Sequence, residues 1–317
     1  MDFRLTSEQI QLRDVVCDYL NAEHGPGMLR RLDAGDGRDG AVWDGLVALG
    51  LTGILVPEEH DGLGLGLVEA VLVAIELGRA DVSEPIADTA LTAAPLVAPE
   101  EQTEIAAGRV KLALAHPINP WIADADQATR IIGGSSGAAL ESVDPLRRLF
   151  ASRDAVDTPG LLDRAALIST AQLIGAAERM LALATDYANQ RSQFGQPIGK
   201  FQAIKHHLAS VAVKIEFARP LALRAAFALD RGHRRAPLHV SHAKLAATDA
   251  AMLAAETAIQ VHGAMGYTYE VDLHFWMKRV WALSGAWGDR AYHAHRVEEA
   301  VLDGAFAIGP STTFLAE

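Results

Sequence analysis

The chain contains one cysteine, Cys17, in 317 residues. A single thiol cannot close an internal disulfide or assemble a multi-cysteine zinc or iron–sulfur site, and such sparing use fits a reducing compartment. Long apolar runs are missing too. The richest stretch, Val71-Leu72-Val73-Ala74-Ile75, falls far short of the roughly 20 residues of a membrane-spanning helix. The first residues also lack the basic-then-apolar order of a secretory signal. The expectation is a cytoplasmic protein without membrane association. Positive charge is in deficit, 28 basic against 40 acidic side chains for a formal net charge of -12. That balance argues against general binding to nucleic acid, because neutralising phosphates requires a basic surface. It leaves room for a local basic patch that holds one phosphate group. Internal repeats and low-complexity tracts are absent. Half of the residues are apolar, enough for substantial cores, and the length suits about two domains.

Most of the chain reads as helix. Thr6 and Gln9 stand at capping-box spacing before a one-faced series, Leu12, Val15, Val16, Tyr19 and Leu20, that ends at Gly25-Pro26-Gly27. Short helices are expected at 41–49, stopped by Gly50, and at 67–77, stopped by Gly78. The segment 57–64 between them reads as loop, and 84–92 and 101–107 as further helix. After Gly108 the character changes: Val110 to Ala115 alternates, and Arg130-Ile131-Ile132 runs into Gly133-Gly134 as strand into turn. Only about fifty residues are available there, thin for a closed barrel. From Leu161 about four long helices fit: one to Asn189, one from Phe201 with a kink near Pro220, one over 239–261 and one over 290–302. Gly309 to Thr313 reads as a tail.

The turns between these helices carry the chemistry. Arg191-Ser192-Gln193-Phe194-Gly195-Gln196-Pro197-Ile198-Gly199-Lys200-Phe201-Gln202 offers a forked cation and polar donors suited to a pyrophosphate, at a helix boundary. Gln260-Val261-His262-Gly263-Ala264-Met265-Gly266-Tyr267 supplies small residues that let a ligand approach the backbone. Taken singly, Arg191 or Gln260 reads as a solvated residue or a cap.

Together these turns resemble the C-terminal half of acyl-CoA dehydrogenases. Trp43 to Gly50, Leu55-Val56-Pro57-Glu58-Glu59, Gly62-Leu63-Gly64-Leu65 and Glu76-Leu77-Gly78 add matches in the N-terminal half. The resemblance implies a mainly α fold: an N-terminal helical domain (1–108), a reduced β middle region (109–159) and a C-terminal four-helix bundle (160–317). The family assembles as a dimer of dimers, binds FAD, and removes hydrogens from the α and β carbons of an acyl-CoA thioester. A carboxylate base takes the α-proton while the β-hydride goes to the flavin. By that resemblance, Arg191, Ser192, Gln193, Phe194, Phe201, Gln202, Gln260, Val261, His262, Gly263 and Ala264 contact the FAD of a neighbouring subunit. Ala264 stands where the family usually has glycine.

The family's base is missing. It usually stands in a Tyr-Glu-Gly-Thr segment, here Ala286-Trp287-Gly288-Asp289, so Trp287 takes its place with an indole that cannot accept a proton. Some relatives carry it near the start of the first C-terminal helix, where this chain has Ala165. The strand Leu112-Ala113-Leu114-Ala115-His116-Pro117 resembles the family's Leu-Thr-Glu-Pro, with Ala115 and His116 replacing Thr and Glu. The Trp-Ile-Thr-Asn-Gly-like strands are not found, the match resumes at Asp144-Pro145-Leu146, and Lys278-Arg279 replaces an Arg-Asp pair.

These losses point to a subunit without catalytic residues of its own. Such a chain resembles the second subunit of two-chain bacterial acyl-CoA dehydrogenases of sterol side-chain breakdown. The partners implied are a catalytic homologue, in an α2β2 complex sharing FAD, and an acyl-CoA held mainly by that partner. Two alternatives stay open: a self-sufficient homo-oligomer with a relocated base at Asp289, Glu270 or Asp163, and a structural partner without cofactor contact. No metal site is expected, because His206-His207, His239 with His242 and His293 with His295 lack metalloprotease spacing.

Overall fold

The computed structural model describes residues 3–36 and 40–303. Thr6 opens α1 (Ser7–Glu23) by a reciprocal capping box: its hydroxyl accepts from the Gln9 N–H at 3.3 Å, and its own N–H donates to the Gln9 side chain at 3.0 Å. Two donors that a helix start leaves free are thereby satisfied. Pro26 then begins α2 (Pro26–Asp33), and α3 (Ala41–Ala48) and α4 (Leu67–Ala80) follow. The loop at 57–64 holds one 3-10 turn, Glu58–His60.

Gly78 does not stop α4. The helix runs on to Ala80 and is capped by Asp81 at φ 56°. Gly78 is needed for a different reason. A Cβ there would lie 2.1 Å from the Gln172 carbonyl oxygen on α7 (Leu161–Gln190), and one at Gly175 would lie 1.8 Å from that of Ile75. The two helices cross backbone to backbone, and a side chain at either glycine would force them apart.

The expected helix at 84–92 is broken into α5 (Ile86–Asp88), a π-turn at Thr89–Ala93 and a 3-10 turn at Ala94–Leu96. The cause is local competition. The Thr92 hydroxyl donates to the Ala87 carbonyl at 2.9 Å, while the Thr89 hydroxyl accepts from the Leu112 N–H at 2.9 Å. Next come α6 (Pro99–Ala106) and the strands β1 (Leu112–Leu114), β2 (Trp121–Ala123), β3 (Arg130–Ile132), β4 (Ser135–Leu140) and β5 (Leu149–Arg153). β1 pairs in parallel with β3, and β2-β5-β4 form an antiparallel sheet with an irregularity between Ser136 and Ala139. Leu112 and Leu114 belong to the main core, so the strands lean on the helices.

After α7 a two-strand hairpin, β6 (Ser192–Gln193) and β7 (Gln196–Pro197), leads to α8 (Gln202–Asp230), α9 (Ala236–His262), α10 (Leu273–Gly285) and α11 (Arg290–Leu302). Among the described residues the C-terminal part has five helices, one more than the four or so expected. Pro220 sits inside α8, which continues to Asp230, and α9 starts three residues earlier than expected with Pro237 in its first turn, where a missing N–H costs nothing. By length and mean hydropathy (1.2) α7 could cross a membrane, but 72% of that window is buried inside the protein. It packs against α4, α8, α9 and α10 as the central helix. The expected tail, 309–313, lies outside the described residues.

A buried cluster joins the three parts of the chain. Arg279 on α10 is 4% exposed; its Nε pairs with Asp144 of the strand region and, at 3.2 Å, with Asp81 at the end of α4. Its Nη1 donates to the Val82 carbonyl at 2.9 Å. Burial pushes the Asp81 carboxyl up to about 7.

Candidate functional site

α7 ends at Gln190, and the Arg191 N–H donates back to the Tyr187 carbonyl. The chain reverses at once through β6 and β7, with Phe194 and Gly195 at φ 52° and 79°. Two successive positive φ values make the tight turn whose twist suits a two-residue hairpin. For Phe194 that conformation carries steric strain, and its ring is 92% exposed, touching only Phe201 edge-on among the described aromatic rings, at 6.2 Å between centroids. Phe201 caps α8 and Gln202 is its first residue.

The second turn follows α9. Gly263 adopts φ 60° and ψ -134°, a region essentially restricted to glycine, and its N–H donates to the Gln260 and Ile259 carbonyls. At Gly266 a Cβ would sit 2.9 Å from the Ile259 carbonyl oxygen, so the chain folds tightly back on α9.

The structure brings the two turns together around an open cleft of about 460 Å³. Arg191 and Gln193 form one side, and Val261, His262, Gly263 and Ala264 the other. Ser192, Phe194, Phe201, Gln202 and Gln260 do not line it; Ser192, Gln202 and Gln260 are solvent-exposed beside it. The sequence reading missed Tyr187, Ile198 and Met265, which complete the walls. Tyr187 precedes Arg191 by four residues, and that helical spacing was the available signal. Its ring stacks on His262 with centroids 4.4 Å apart. The His262 Nδ1 lies 2.7 Å from the Ala258 carbonyl, so Nδ1 carries the proton, and burial holds the ring's pKa below its ordinary value. Arg191 has no ion-pair partner among the described residues. A free guanidinium, a side-chain amide, a turn without a Cβ at Gly263 and a projecting aromatic ring fit a pyrophosphate-bearing aromatic cofactor such as FAD.

The two possible positions of a catalytic carboxylate also meet, in a different place. Trp287 and Ala165 line one cavity of only about 40 Å³, together with Asp88, Arg147, Arg279 and Ser169. Trp287 is 4% exposed at φ 59°. Its N–H donates to Asn119 Oδ1 at 3.1 Å, and its carbonyl accepts from His293 Nε2 at 3.0 Å. Burial pushes Asp88 up to about 7 and brings Lys244, which donates to Ser169 and to the Leu283 carbonyl, down to about 7. None of the three relocated candidates lines this cavity. Asp289 caps α11 by accepting from the Tyr292 N–H at 2.8 Å, Asp163 pairs with Arg296 at 2.9 Å, and Glu270 is exposed. Among the described residues no cluster of three or more His, Cys, Asp or Glu could hold a metal.

Residues 6–105 match the family model for the acyl-CoA dehydrogenase N-terminal domain, and residues 159–302 the one for the C-terminal domain. The chain belongs to the acyl-CoA dehydrogenase family. That family consists of FAD-binding oxidoreductases. Acyl-CoA dehydrogenase IpdE2 of Mycobacterium tuberculosis is 36% identical over 296 residues, covering 86% of this chain and 90% of the relative. The fold is also that of the ChsE4–ChsE5 complex from Mycobacterium tuberculosis, with a TM-score of 0.84 and 22% identity over 96% of this chain and 99% of that one. A steroid acyl-CoA dehydrogenase, Tcur3481–Tcur3483, superposes with a TM-score of 0.79 and 20% identity, covering 94% of this chain and 98% of that one.

Proposed function

We propose that this chain is a non-catalytic subunit of a two-chain, FAD-dependent acyl-CoA dehydrogenase, with 1–108, 109–159 and 160–317 as its N-terminal, reduced middle and C-terminal domains. The observation that carries the reading is a division between its two sites. The cofactor cleft is open, while both positions that could carry a base face a cavity of about 40 Å³ with Trp287 in it. Room for one or two waters leaves no place for a thioester. When bound, the flavin supplies a hydride acceptor for the β-carbon. Arg191 would neutralise the pyrophosphate and Gln193 would orient it, Gly263 leaves room for its close approach, and the stacked Tyr187–His262 pair forms part of the wall. Phe194, strained and projecting from its own chain, serves a ligand shared with a partner subunit. That partner is a catalytic homologue in an α2β2 complex, and it supplies the base and most of the acyl-CoA cleft. Two pairings among the structural likenesses, ChsE4–ChsE5 and the steroid enzyme Tcur3481–Tcur3483, support a heteromer, and the second also a steroid-derived acyl-CoA; a sterol side-chain CoA is the substrate proposed here.

The test is the visible spectrum and dehydrogenase activity of the chain alone and co-expressed with a full-length catalytic homologue. Colourless and inactive alone, yellow and active together, is the expected result. In the complex, Arg191→Ala removes a charge-assisted contact of about 1.5–3 kcal/mol and weakens FAD retention roughly tenfold to a hundredfold. Unchanged FAD content in that variant would reduce the chain to a structural partner. A yellow, active chain on its own would show a self-sufficient enzyme.

A further inference from the structure

A third cavity, of about 170 Å³, shares no lining residue with the two sites above. It lies between α1, the start of α2, α4, α7 and α10, and its charged lining is Arg79, Arg179 and Glu76. Arg79 is committed: Nε pairs with the Glu76 carboxylate at 3.0 Å, and Nη2 donates to Cys17 Sγ at 3.4 Å. Arg179 has no carboxylate at ion-pair distance among the described residues. Its guanidinium lies over the Trp276 ring, 5.2 Å from the centroid. Burial and then the charge of Arg79 pull the Arg179 pKa down. Two cations and one anion line the recess, while the Glu178 carboxylate acts on Arg79, and those of Asp186 and Asp272 on Arg179, from outside that lining. Crowding like charges in a half-buried space is unfavourable unless an anion offsets it.

The walls are fixed in place. Trp276 Nε1 donates to the Arg79 carbonyl at 2.9 Å, and His24 Nδ1 bonds the Ala80 carbonyl at 3.1 Å. Both rings are thus pinned to the last turn of α4, and the recess needs little rearrangement to receive a ligand. Its volume is below the roughly 300–1,000 Å³ of pockets for drug-sized molecules, so the group it takes is compact. We propose that this cavity binds a small oxyanion, a phosphate or carboxylate group, between the guanidinium groups of Arg179 and Arg79, with Trp276 as its wall.

Calorimetric titration of the full chain with inorganic phosphate and, separately, with acetate at constant ionic strength tests this. One saturable site per chain is expected. Binding of phosphate alone would assign a phosphoryl group, and binding of acetate a carboxylate. Arg179→Gln weakens the site about tenfold or more, and Arg179→Lys, which keeps the charge but loses the guanidinium fork, weakens it less than Arg179→Gln does. Circular dichroism of each variant separates lost binding from lost fold. Absence of saturable binding of both anions to the wild-type chain, or equal binding by a folded Arg179→Gln variant, would overturn the proposal.

Discussion

Trp287→Glu places a carboxyl where the acyl-CoA dehydrogenase family usually has its base, and it is expected not to create an enzyme. The indole it removes is 4% exposed and occupies the wall of a cavity of about 40 Å³. Truncating a buried tryptophan costs about 3–5 kcal/mol through lost contacts and the void left behind. For a chain of this size that lowers the melting temperature by about 10 °C. The new carboxyl would face the surroundings that already push the Asp88 carboxyl up, so burial would disfavour its ionised form as well. Asn119 and His293 would still hold the backbone of the segment, because they bond the N–H and carbonyl of residue 287 rather than its side chain. The assay is acyl-CoA oxidation with an artificial electron acceptor, run on the variant alone and supplied with FAD, beside a thermal melt. Measurable turnover, or a melting temperature equal to that of the wild type, would refute the reasoning that this cavity is too small for a substrate.

Arg279→Met leaves Asp81 and Asp144 buried without their cation and should destabilise the chain by about 3–5 kcal/mol in denaturant unfolding. Gly175→Ala drives a Cβ into the Ile75 carbonyl and should cost about 1–3 kcal/mol or more, although alanine is the better helix former on an isolated peptide. His293 is fully buried, and burial, with the Lys244 charge next, brings it down to about 4 from an ordinary 6.5. The unfolded chain therefore binds this proton first, so its stabilising contribution is complete above pH 6.5 and is lost as pH falls towards 4, by about 3 kcal/mol. Stability measured over that window should show a shallower acid loss in His293→Gln than in the wild type; equal slopes would exclude His293 as the source.

The cleft between the two turns, the proposed cofactor site, has parts that are local in sequence. A positive-φ hairpin at Phe194-Gly195 and a glycine-only turn at Gly263 are set by neighbours along the chain, and both turns announce themselves by residue type. The Thr6–Gln9 cap was readable for the same reason. Gly78 misled because a glycine that ends a helix and one that lets two helices touch look alike until the second helix is in place. Tyr187 was overlooked because its stacking partner is 75 positions away in the chain. What the sequence alone determined was the family, the mainly helical order of the chain, the two turns that line the cleft and the absence of a carboxylate at Trp287 and Ala165. That those two positions share one nearly filled cavity was decided only in three dimensions. So were the Arg279 cluster spanning the chain and the recess that crowds Arg79 against Arg179. Their contacts join residues well over a hundred positions apart, as in Trp287 to Asn119 and Arg279 to Asp144. Burial then sets the electrostatics, and no local pattern encodes burial.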